Sequence, residues 1–384
     1  MPCSSSSFTV DRRTVTKSAA LAAAALLLPV GGGVARAATG GLTLRLPAPT
    51  GPHRIGVTTL HLTDRSRRDP WEPGIVRALM VTLFYPACDV RGYPVAPQMT
   101  AGAAKHFHEF APLFRPELPR AGVDWAATVT HAHAGAPAQP VRRPVLLYSP
   151  GGGDPRTLGT GVAEELASHG YVVVTIDHPG DASEVEFPDK SIRESVFRGD
   201  PRTDPTIFRT TIDTRIADTG FVLDQLEALA AGRHDLGRAL DLRRVGIYGH
   251  SAGGTTAAEA MHQDRRINAA INLEGFLDYP DGTLFPVAEH GPDRPLLLLG
   301  TDGFSEKKEL ERSWSIVRQV HRRQIANATH GVFTDFASMA PQLQAAGLMT
   351  PDNRNKLVGA ITPEKSVPLV RGYVRSFFAR HLRA

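Results

Sequence analysis

A serine among glycines is the feature of this sequence that most clearly suggests chemistry. Residues 249–254 read Gly-His-Ser-Ala-Gly-Gly and stand between an apolar stretch and a helix-like one. This is the Gly-x-Ser-x-Gly pattern of a nucleophile elbow, a strained strand-to-helix turn that projects the serine hydroxyl. Side chains at the flanking positions would collide with neighbouring backbone, and Gly249 and Gly253 avoid this. Ser251 is therefore the candidate nucleophile; the alternative is an ordinary glycine-rich turn.

A serine hydroxyl is a weak nucleophile near neutral pH, so it needs a neighbouring base. Five histidines follow Ser251 in the sequence. His330 is the best placed, because it stands between an extended stretch at 322–325 and a helix-like stretch at 332–339. We expect His330 to accept the serine proton and an acidic side chain to orient its ring.

Two carboxylates compete to be that acid. In hydrolases built on this kind of elbow, the order along the chain is nucleophile, acid and histidine. Glu274 ends the apolar stretch 267–273, and Asp302 ends the next predicted strand. Both positions are carboxyl ends of strands, where catalytic groups of open α/β sheets gather. The later strand is the commoner choice, which favours Asp302, but position alone leaves both residues open.

The negative charge that develops on an attacked carbonyl requires two preorganised N–H donors. The amide that follows the nucleophile, that of Ala252, is one candidate. The second is Gly152, in the loop Ser-Pro-Gly-Gly-Gly-Asp at 149–154, because glycine lets its amide approach the reacting centre. A phosphate cradle is the alternative, but this loop lacks both the Lys-Ser/Thr ending of a P-loop and the spacing of a dinucleotide fingerprint.

Short apolar stretches that alternate with helical ones must position these residues. The predicted strands of this region are 145–148, 171–176, 245–248, 267–273, 295–299 and 322–325. Such alternation predicts an α/β fold with a mostly parallel central sheet and helices on both faces. Upstream, 56–63 and 79–85 alternate in the manner of antiparallel strands at a sheet edge.

The domain organisation follows from the composition along the chain. Segments 87–141 and 178–206 are rich in turn-forming or polar residues and are predicted to be insertions in a single catalytic domain, 38–384. Residues 1–37 resemble a cleaved signal peptide of the twin-arginine type, with Arg12-Arg13 before an apolar run and a small-residue cleavage site before Ala38. We therefore expect a secreted protein.

The charge of the chain gives no reason to expect a nucleic acid partner. The formal net charge of the whole sequence is +4, and residues 1–37 contribute +3 of it. The remainder of the chain is therefore almost neutral overall. A basic surface that neutralises phosphates would require a clear excess of Lys and Arg.

At these residues the sequence resembles the plasma-type (type II) platelet-activating factor acetylhydrolase family of α/β-hydrolases. The matching segments are the glycine loop and its continuation at 149–158, residues 166–171, 177–183, the elbow at 249–254, residues 271–275, and the His-x-x-Phe-x-Asp-Phe motif at 330–336. In that family the acid follows the earlier strand. The resemblance therefore implies that Glu274 is the acid, with Glu in place of the family's Asp, and that Asp302 is not.

The resemblance implies a secreted serine carboxylic-ester hydrolase that acts through an acyl-enzyme on short-chain acyl esters, including phospholipid-type esters. A hydrolase of this kind requires no metal and no organic cofactor. The expected partner is a small-molecule or lipid ester substrate. The alternatives are an amidase, peptidase or polyester hydrolase with the same triad, and a non-catalytic α/β-hydrolase used for binding.

Other patterns have a weaker connection with function. His106-x-His108 and His131-x-His133 have the spacing of metal ligands on a strand, but no companion Cys or carboxylate cluster accompanies them. Phe107, Phe110 and Phe114 share one face if residues 103–114 are helical. We expect this face to cover the active-site mouth, and a transient contact with a lipid interface is the alternative. Trp314 and Phe333 are candidates for cleft or core positions.

Overall fold

The structure is a computed structural model that describes residues 40–197, 200–232, 234–318 and 320–383. The expected signal peptide at 1–37 and the expected mature start at Ala38 lie outside these residues. The strands are β1 (Ile55–Arg68), β2 (Val76–Pro86), β3 (Val95–Pro97), β4 (Val129–Ala134), β5 (Arg143–Ser149), β6 (Val172–Ile176), β7 (Glu184–Glu186), β8 (Ile192–Glu194), β9 (Leu240–His250), β10 (Ile267–Leu273), β11 (Leu296–Thr301) and β12 (His321–Ile325). The helices are α1 (Ala101–Phe114), α2 (Thr160–Ser168), α3 (Pro205–Ala231), α4 (Asp235–Arg238), α5 (Ala252–Gln263), α6 (Pro286–His290), α7 (Lys307–Ser315), α8 (Phe336–Ala345), α9 (Pro351–Val358) and α10 (Pro363–His381).

Ten of these strands form one sheet in the order β12-β11-β10-β9-β5-β6-β2-β1-β4-β3. The six strands from β12 to β6 are all parallel. β2 is antiparallel to both of its neighbours, β6 and β1, and β3 is antiparallel to β4. The predicted α/β-hydrolase fold, a mostly parallel sheet with helices on both faces, is confirmed.

Alternate residues of the central strands belong to two hydrophobic cores, one on each face of the sheet. Val145 and Leu147 of β5 pack in a core that includes residues of α3 and α5. Leu146 and Tyr148 pack in a second core, with residues of α2 and α10. Because successive side chains of a strand point to opposite faces, a strand covered on both sides must be apolar at every position. This is why these strands are almost continuously apolar in the sequence.

The predicted antiparallel strands form, but their expected place at the edge of the sheet is wrong. They are β1 and β2, paired from Ile55 opposite Pro86 to Arg68 opposite Val76. β2 lies between β1 and β6, and β4 and β3 extend the sheet beyond β1. The sequence does not predict this extension, because β3 has only three residues and β4 reads Val-Thr-His-Ala-His-Ala, without a clear apolar alternation.

The two predicted insertions contact each other. Segment 87–141 contributes α1, and segment 178–206 contributes the β7–β8 hairpin. At the start of α1, the backbone N–H of Ala103 donates to Glu186 Oε2 of β7 at 3.0 Å. The hydroxyl of Thr100, the N-cap residue of α1, donates to the same carboxylate oxygen.

In the part of the chain that the structure describes, no helix combines the length and apolarity needed to cross a membrane.

Candidate active site

Ser251 occupies the turn between β9 and α5, as expected for a nucleophile elbow. Its backbone has φ 55° and ψ −123°, a conformation rarely adopted by residues other than glycine. A Cβ at Gly249 would overlap the carbonyl of Gly253, and a Cβ at Gly253 would overlap that of Ser149. The N–H of Ser251 donates to the carbonyl of Leu273 at 2.8 Å. The elbow is therefore fastened to the end of β10.

The residue that follows Leu273 is Glu274, and its carboxylate contacts His330. Glu274 is 1% exposed, and its Oε2 lies 2.8 Å from Nδ1 of His330. Its other oxygen, Oε1, accepts two hydrogen bonds from Thr301, from the backbone N–H at 2.6 Å and from the hydroxyl at 2.7 Å. A carboxylate with these partners requires the proton of His330 to be on Nδ1. This tautomer leaves Nε2 of His330 able to accept a proton.

Asp302, the alternative acid, has a different environment. Its carboxylate accepts the backbone N–H groups of Asn327 at 2.9 Å and of Ala328 at 3.2 Å, just before His330 in the chain. The hydrogen bond from Asn327 lowers the pKa of Asp302 below its ordinary value. The side chain is exposed. Asp302 thus fixes the turn that leads to His330, whereas Glu274 contacts the imidazole itself.

The glycine loop is held to α3 through its carbonyl groups. The guanidinium of Arg215, buried in α3, donates to the carbonyls of Pro150 at 2.6 Å and Gly151 at 2.9 Å. The carboxylate of Asp181 accepts the N–H of Gly153 at 2.9 Å and Nε of Arg215 at 2.5 Å. These contacts fix the loop backbone on both sides of its second glycine.

The two predicted oxyanion donors lie close together beside the elbow. A Cβ at Gly152 would lie 3.8 Å from Cβ of Ala252. Among the described residues, neither the N–H of Gly152 nor that of Ala252 has a hydrogen-bond partner. The Ala252 amide is also at the N-terminus of α5, where the helix dipole favours negative charge.

Residues after His330 connect its turn to the helix that follows the glycine loop. The carboxyl group of Asp335 accepts the N–H of Gly161 in α2 at 2.9 Å and Nε2 of Gln98 at 2.9 Å. The N–H of Asp335 donates to the carbonyl of Leu158 at 2.8 Å. Burial raises the pKa of Asp335 to about 8. The histidine segment and the glycine-loop segment are therefore joined independently of the sheet.

The sequence does not identify three further residues that contact His330 or Glu274. The ring of Phe304 stacks on His330, with centroids 4.4 Å apart and planes inclined by 16°. The ring of His250 lies 4.3 Å from His330. Thr301, which anchors Glu274, is the third. Thr301 and His250 end β11 and β9, two residues beyond the predicted strands, and a position after a strand is the signal that could have identified them.

A cavity of about 540 Å³ adjoins the glycine loop at Gly152 and Gly153. Its other side is lined by the predicted aromatic face of α1, Phe107, Phe110 and Phe114, and by Phe197, with Glu194 and Asp200 also in the wall. Phe107 is buried, whereas Phe114 is 39% exposed. The aromatic face of α1 therefore covers a cleft beside the glycine loop, and its role as a cover of the active-site mouth stays a prediction.

The other candidate residues are buried in the core or paired with neighbouring polar groups. Trp314 is buried and donates from its indole to the carbonyl of Gly275, the residue after Glu274, at 2.8 Å. Phe333 is buried with its ring 6.0 Å from that of His250. Nδ1 of His131 lies 3.0 Å from Glu164 Oε2, and Nδ1 of His133 lies 2.7 Å from the carbonyl of Tyr93. Nowhere in the described ranges do three or more His, Cys, Asp or Glu side chains form a group that could hold a metal ion.

Known proteins resemble this chain over most of its length. A family model described as platelet-activating factor acetylhydrolase, isoform II, matches residues 40–194 and 220–369. The sequence is 27% identical over 361 residues to a probable 1-alkyl-2-acetylglycerophosphocholine esterase of Arthroderma benhamiae, covering 87% of each chain. It is 21% identical over 384 residues to the platelet-activating factor acetylhydrolase of Gallus gallus, with 88% of this chain and 84% of that one covered.

A solved structure also resembles this chain over most of its length. The ferulic acid esterase of Streptomyces cinnamoneus is 35% identical and superposes with a TM-score of 0.70, over 89% of this chain and 94% of that one. The family match confirms the resemblance seen in the sequence motifs. The chain is a hydrolase that acts on esters, and it belongs to the platelet-activating factor acetylhydrolase, isoform II, family.

Proposed function

We propose that this protein is a serine carboxylic-ester hydrolase in which Ser251, His330 and Glu274 form the catalytic triad. The observation that carries the proposal is the 2.8 Å contact between Glu274 and Nδ1 of His330. Glu274 directly follows Leu273, the residue whose carbonyl anchors the N–H of Ser251. In support of the proposal, Ser251 and Glu274 directly follow two adjacent parallel strands, β9 and β10.

The proposed reaction has two halves. Ser251 Oγ attacks the acyl carbonyl while Nε2 of His330 takes its proton, and the N–H groups of Gly152 and Ala252 bind the resulting oxyanion. The intermediate expels the alcohol, which receives the proton from His330, and leaves an acyl-enzyme. Water then attacks the acyl-enzyme while His330 takes its proton, and the acid product departs as His330 returns that proton to Ser251 Oγ. Glu274 stabilises the imidazolium in both halves.

Each proton and each charge in this cycle is handled by groups of the chain itself. The proposal therefore includes no metal ion and no organic cofactor. It treats residues 38–384 as one catalytic domain, with the insertions at 87–141 and 178–206 covering the cleft. The proposed partner is a small-molecule or lipid ester substrate, and the mechanism does not involve a nucleic acid.

For the substrate we propose short-chain acyl esters, including phospholipid-type esters. The curated relatives named above support this class by their names. The aromatic cleft, with Phe114 and the 60% exposed Leu113 at its rim, suits an amphiphile that is presented from a lipid interface. A second candidate class is esters of aromatic acids. It is favoured by the 35% identity to a ferulic acid esterase and by the four phenylalanines of the cavity.

A panel of esters with matched leaving groups tests both classes. The expected result is that acetyl and butyryl esters turn over faster than long-chain esters, and that a 2-acetyl phospholipid is cleaved. A preference for hydroxycinnamoyl esters would support the second class and contradict the first. An anilide and a polyester film complete the panel, because turnover of either one in preference to the soluble esters would point to an amidase or a polyester hydrolase instead.

We also propose that the protein is exported and that residues 1–37 are removed. The support comes from the sequence of that segment alone, with its paired arginines, apolar run and small-residue cleavage site.

A further inference from the structure

His250 is a buried histidine beside the candidate active site, and the proposed mechanism gives it no role. It is the residue between Gly249 and Ser251, and it is 0% exposed. Its ring centroid lies 4.3 Å from that of His330, with an interplanar angle of 45°. A histidine completely removed from solvent needs polar partners to offset its desolvation.

The polar group that faces His250 is a carboxylate at the end of the glycine loop. Nδ1 of His250 lies 3.7 Å from Oδ2 of Asp154, longer than a hydrogen bond but closed by a shift of about 0.7 Å. Among the described residues, neither ring nitrogen of His250 nor Oδ2 of Asp154 has a hydrogen-bond partner. The other oxygen of Asp154 pairs with the guanidinium of Arg115, at the C-terminal end of α1.

Burial and the neighbouring charges determine the protonation state of the His250 imidazole. Burial lowers the pKa of His250 to about 4, and the neighbouring His330 lowers it as well. Although burial opposes it, the Arg115 guanidinium holds the pKa of the Asp154 carboxyl below its ordinary value. His250 is therefore a neutral ring that faces a carboxylate, an arrangement that favours the N–H on Nδ1.

We propose that His250 is a positioning residue for His330 and that Asp154, anchored by Arg115, holds it from behind. The inference rests on the proposed role of His330 as the base. A histidine ring turns about its Cβ–Cγ bond unless neighbours restrict it. The rings of Phe304 at 4.4 Å and His250 at 4.3 Å supply that restriction, so Nδ1 stays on Glu274.

The same contacts link the base to the oxyanion donor. Asp154 directly follows the glycine loop, and its N–H donates to the carbonyl of Gly151 at 3.1 Å. A movement of Asp154 would therefore displace both Gly152 and the ring that packs on His330. Misplacement of about 1 Å can lower turnover by as much as a hundredfold, so a small loosening of this chain of contacts should be measurable.

The experiment compares His250→Phe, Asp154→Asn and the double variant, using kcat and KM on one soluble ester. His250→Phe keeps a ring against His330 but cannot face Asp154 with an N–H. We expect each single variant to lower kcat by about tenfold with KM changed by less than about threefold. The kcat of the double variant should also be lower by no more than about tenfold, because the two residues act through the same chain of contacts. Tyr248→Phe, two residues upstream and also buried, is the control and should keep its kcat.

A spectroscopic measurement separates positioning from general loosening. In the wild-type protein the Nδ1–H of His330 should give a low-field proton resonance, and in His250→Phe this resonance should broaden or disappear while the thermal midpoint stays within a few degrees. An unchanged kcat in both single variants, or losses that multiply to about a hundredfold in the double variant, would overturn the inference. His330→Asn tests the underlying mechanism separately. If that variant keeps full turnover, the proposed base is wrong; if it is inactive while His250→Phe is fully active, only the inference on His250 fails.

Discussion

Thr301 donates both its backbone N–H and its hydroxyl to the oxygen of Glu274 that faces away from His330, at 2.6 and 2.7 Å. Under the proposal that Glu274 is the acid, this relationship explains how a glutamate can act where the family resemblance implies an aspartate. The longer side chain has one more rotatable bond, and two hydrogen bonds to one oxygen restrict its rotation. The second oxygen is then directed at Nδ1 of His330.

The first prediction separates the two candidate acids. Glu274→Gln keeps the shape of the side chain but cannot stabilise an imidazolium, so turnover should fall by about 10³–10⁴-fold. Asp302→Asn should cost less than about tenfold, because it alters only the hydrogen bonds of the turn before His330. Both variants are to be purified, compared for thermal midpoint and assayed on one soluble ester. If Asp302→Asn is the inactive one, the acid is on the later strand.

The second prediction concerns the glycines of the site. A Cβ at Gly253 would overlap the carbonyls of Ser149 and Pro150, whereas a Cβ at Gly152 meets only Ala252, at 3.8 Å. Gly253→Ala should therefore destabilise the fold by about 3 kcal/mol or more. Gly152→Ala should leave the free energy of unfolding almost unchanged. Urea unfolding of the two variants measures this difference, and equal destabilisation would contradict the elbow geometry.

The third prediction is a loss of stability in acid. Burial lowers the pKa values of His178 and His250 to about 4, whereas an unfolded histidine titrates near 6.5. Below pH 6.5 the unfolded chain therefore binds protons that the folded chain does not, so stability falls as the pH drops from about 6.5 to about 4. The loss is up to about 3 kcal/mol for each histidine.

A substitution of one of these histidines checks this assignment. His178→Gln should reduce the difference in unfolding free energy between pH 7 and pH 4, whereas the exposed His321→Gln should leave it unchanged. Equal pH dependence in the wild-type protein and His178→Gln would show that His178 titrates normally in the folded state.

The fourth prediction concerns export. The mature protein should begin at Ala38, and Arg12-Arg13→Lys-Lys should abolish its appearance outside the cell. N-terminal sequencing of the secreted protein and immunoblotting of cell fractions provide the measurement. Secreted protein that still begins at Met1, or normal secretion of the Lys-Lys variant, would exclude this route.

The local motifs of the candidate site are easier to recognise in the sequence than the limits of the sheet. The elbow at Ser251 is encoded within six consecutive residues, so local pattern is enough to find it. Both Glu274 and Asp302 follow strands, so in the sequence only the family resemblance favours Glu274. The folded chain brings Glu274 to His330, 56 positions away. The stacking of Phe304 and the hydrogen bonds of Thr301 depend on the way β10, β11 and the following loop meet. No periodicity in the sequence reports such contacts.

The central claim is tested most directly by Ser251→Ala. The wild-type protein, Ser251→Ala and the exposed-serine control Ser376→Ala are to be treated with a fluorophosphonate and assayed for turnover of a short-chain ester. We predict that wild type and Ser376→Ala are labelled with one equivalent, and that Ser251→Ala is unlabelled and about 10⁴–10⁶-fold slower. Labelling of Ser251→Ala at another residue, or turnover of that variant close to wild type, would contradict the account.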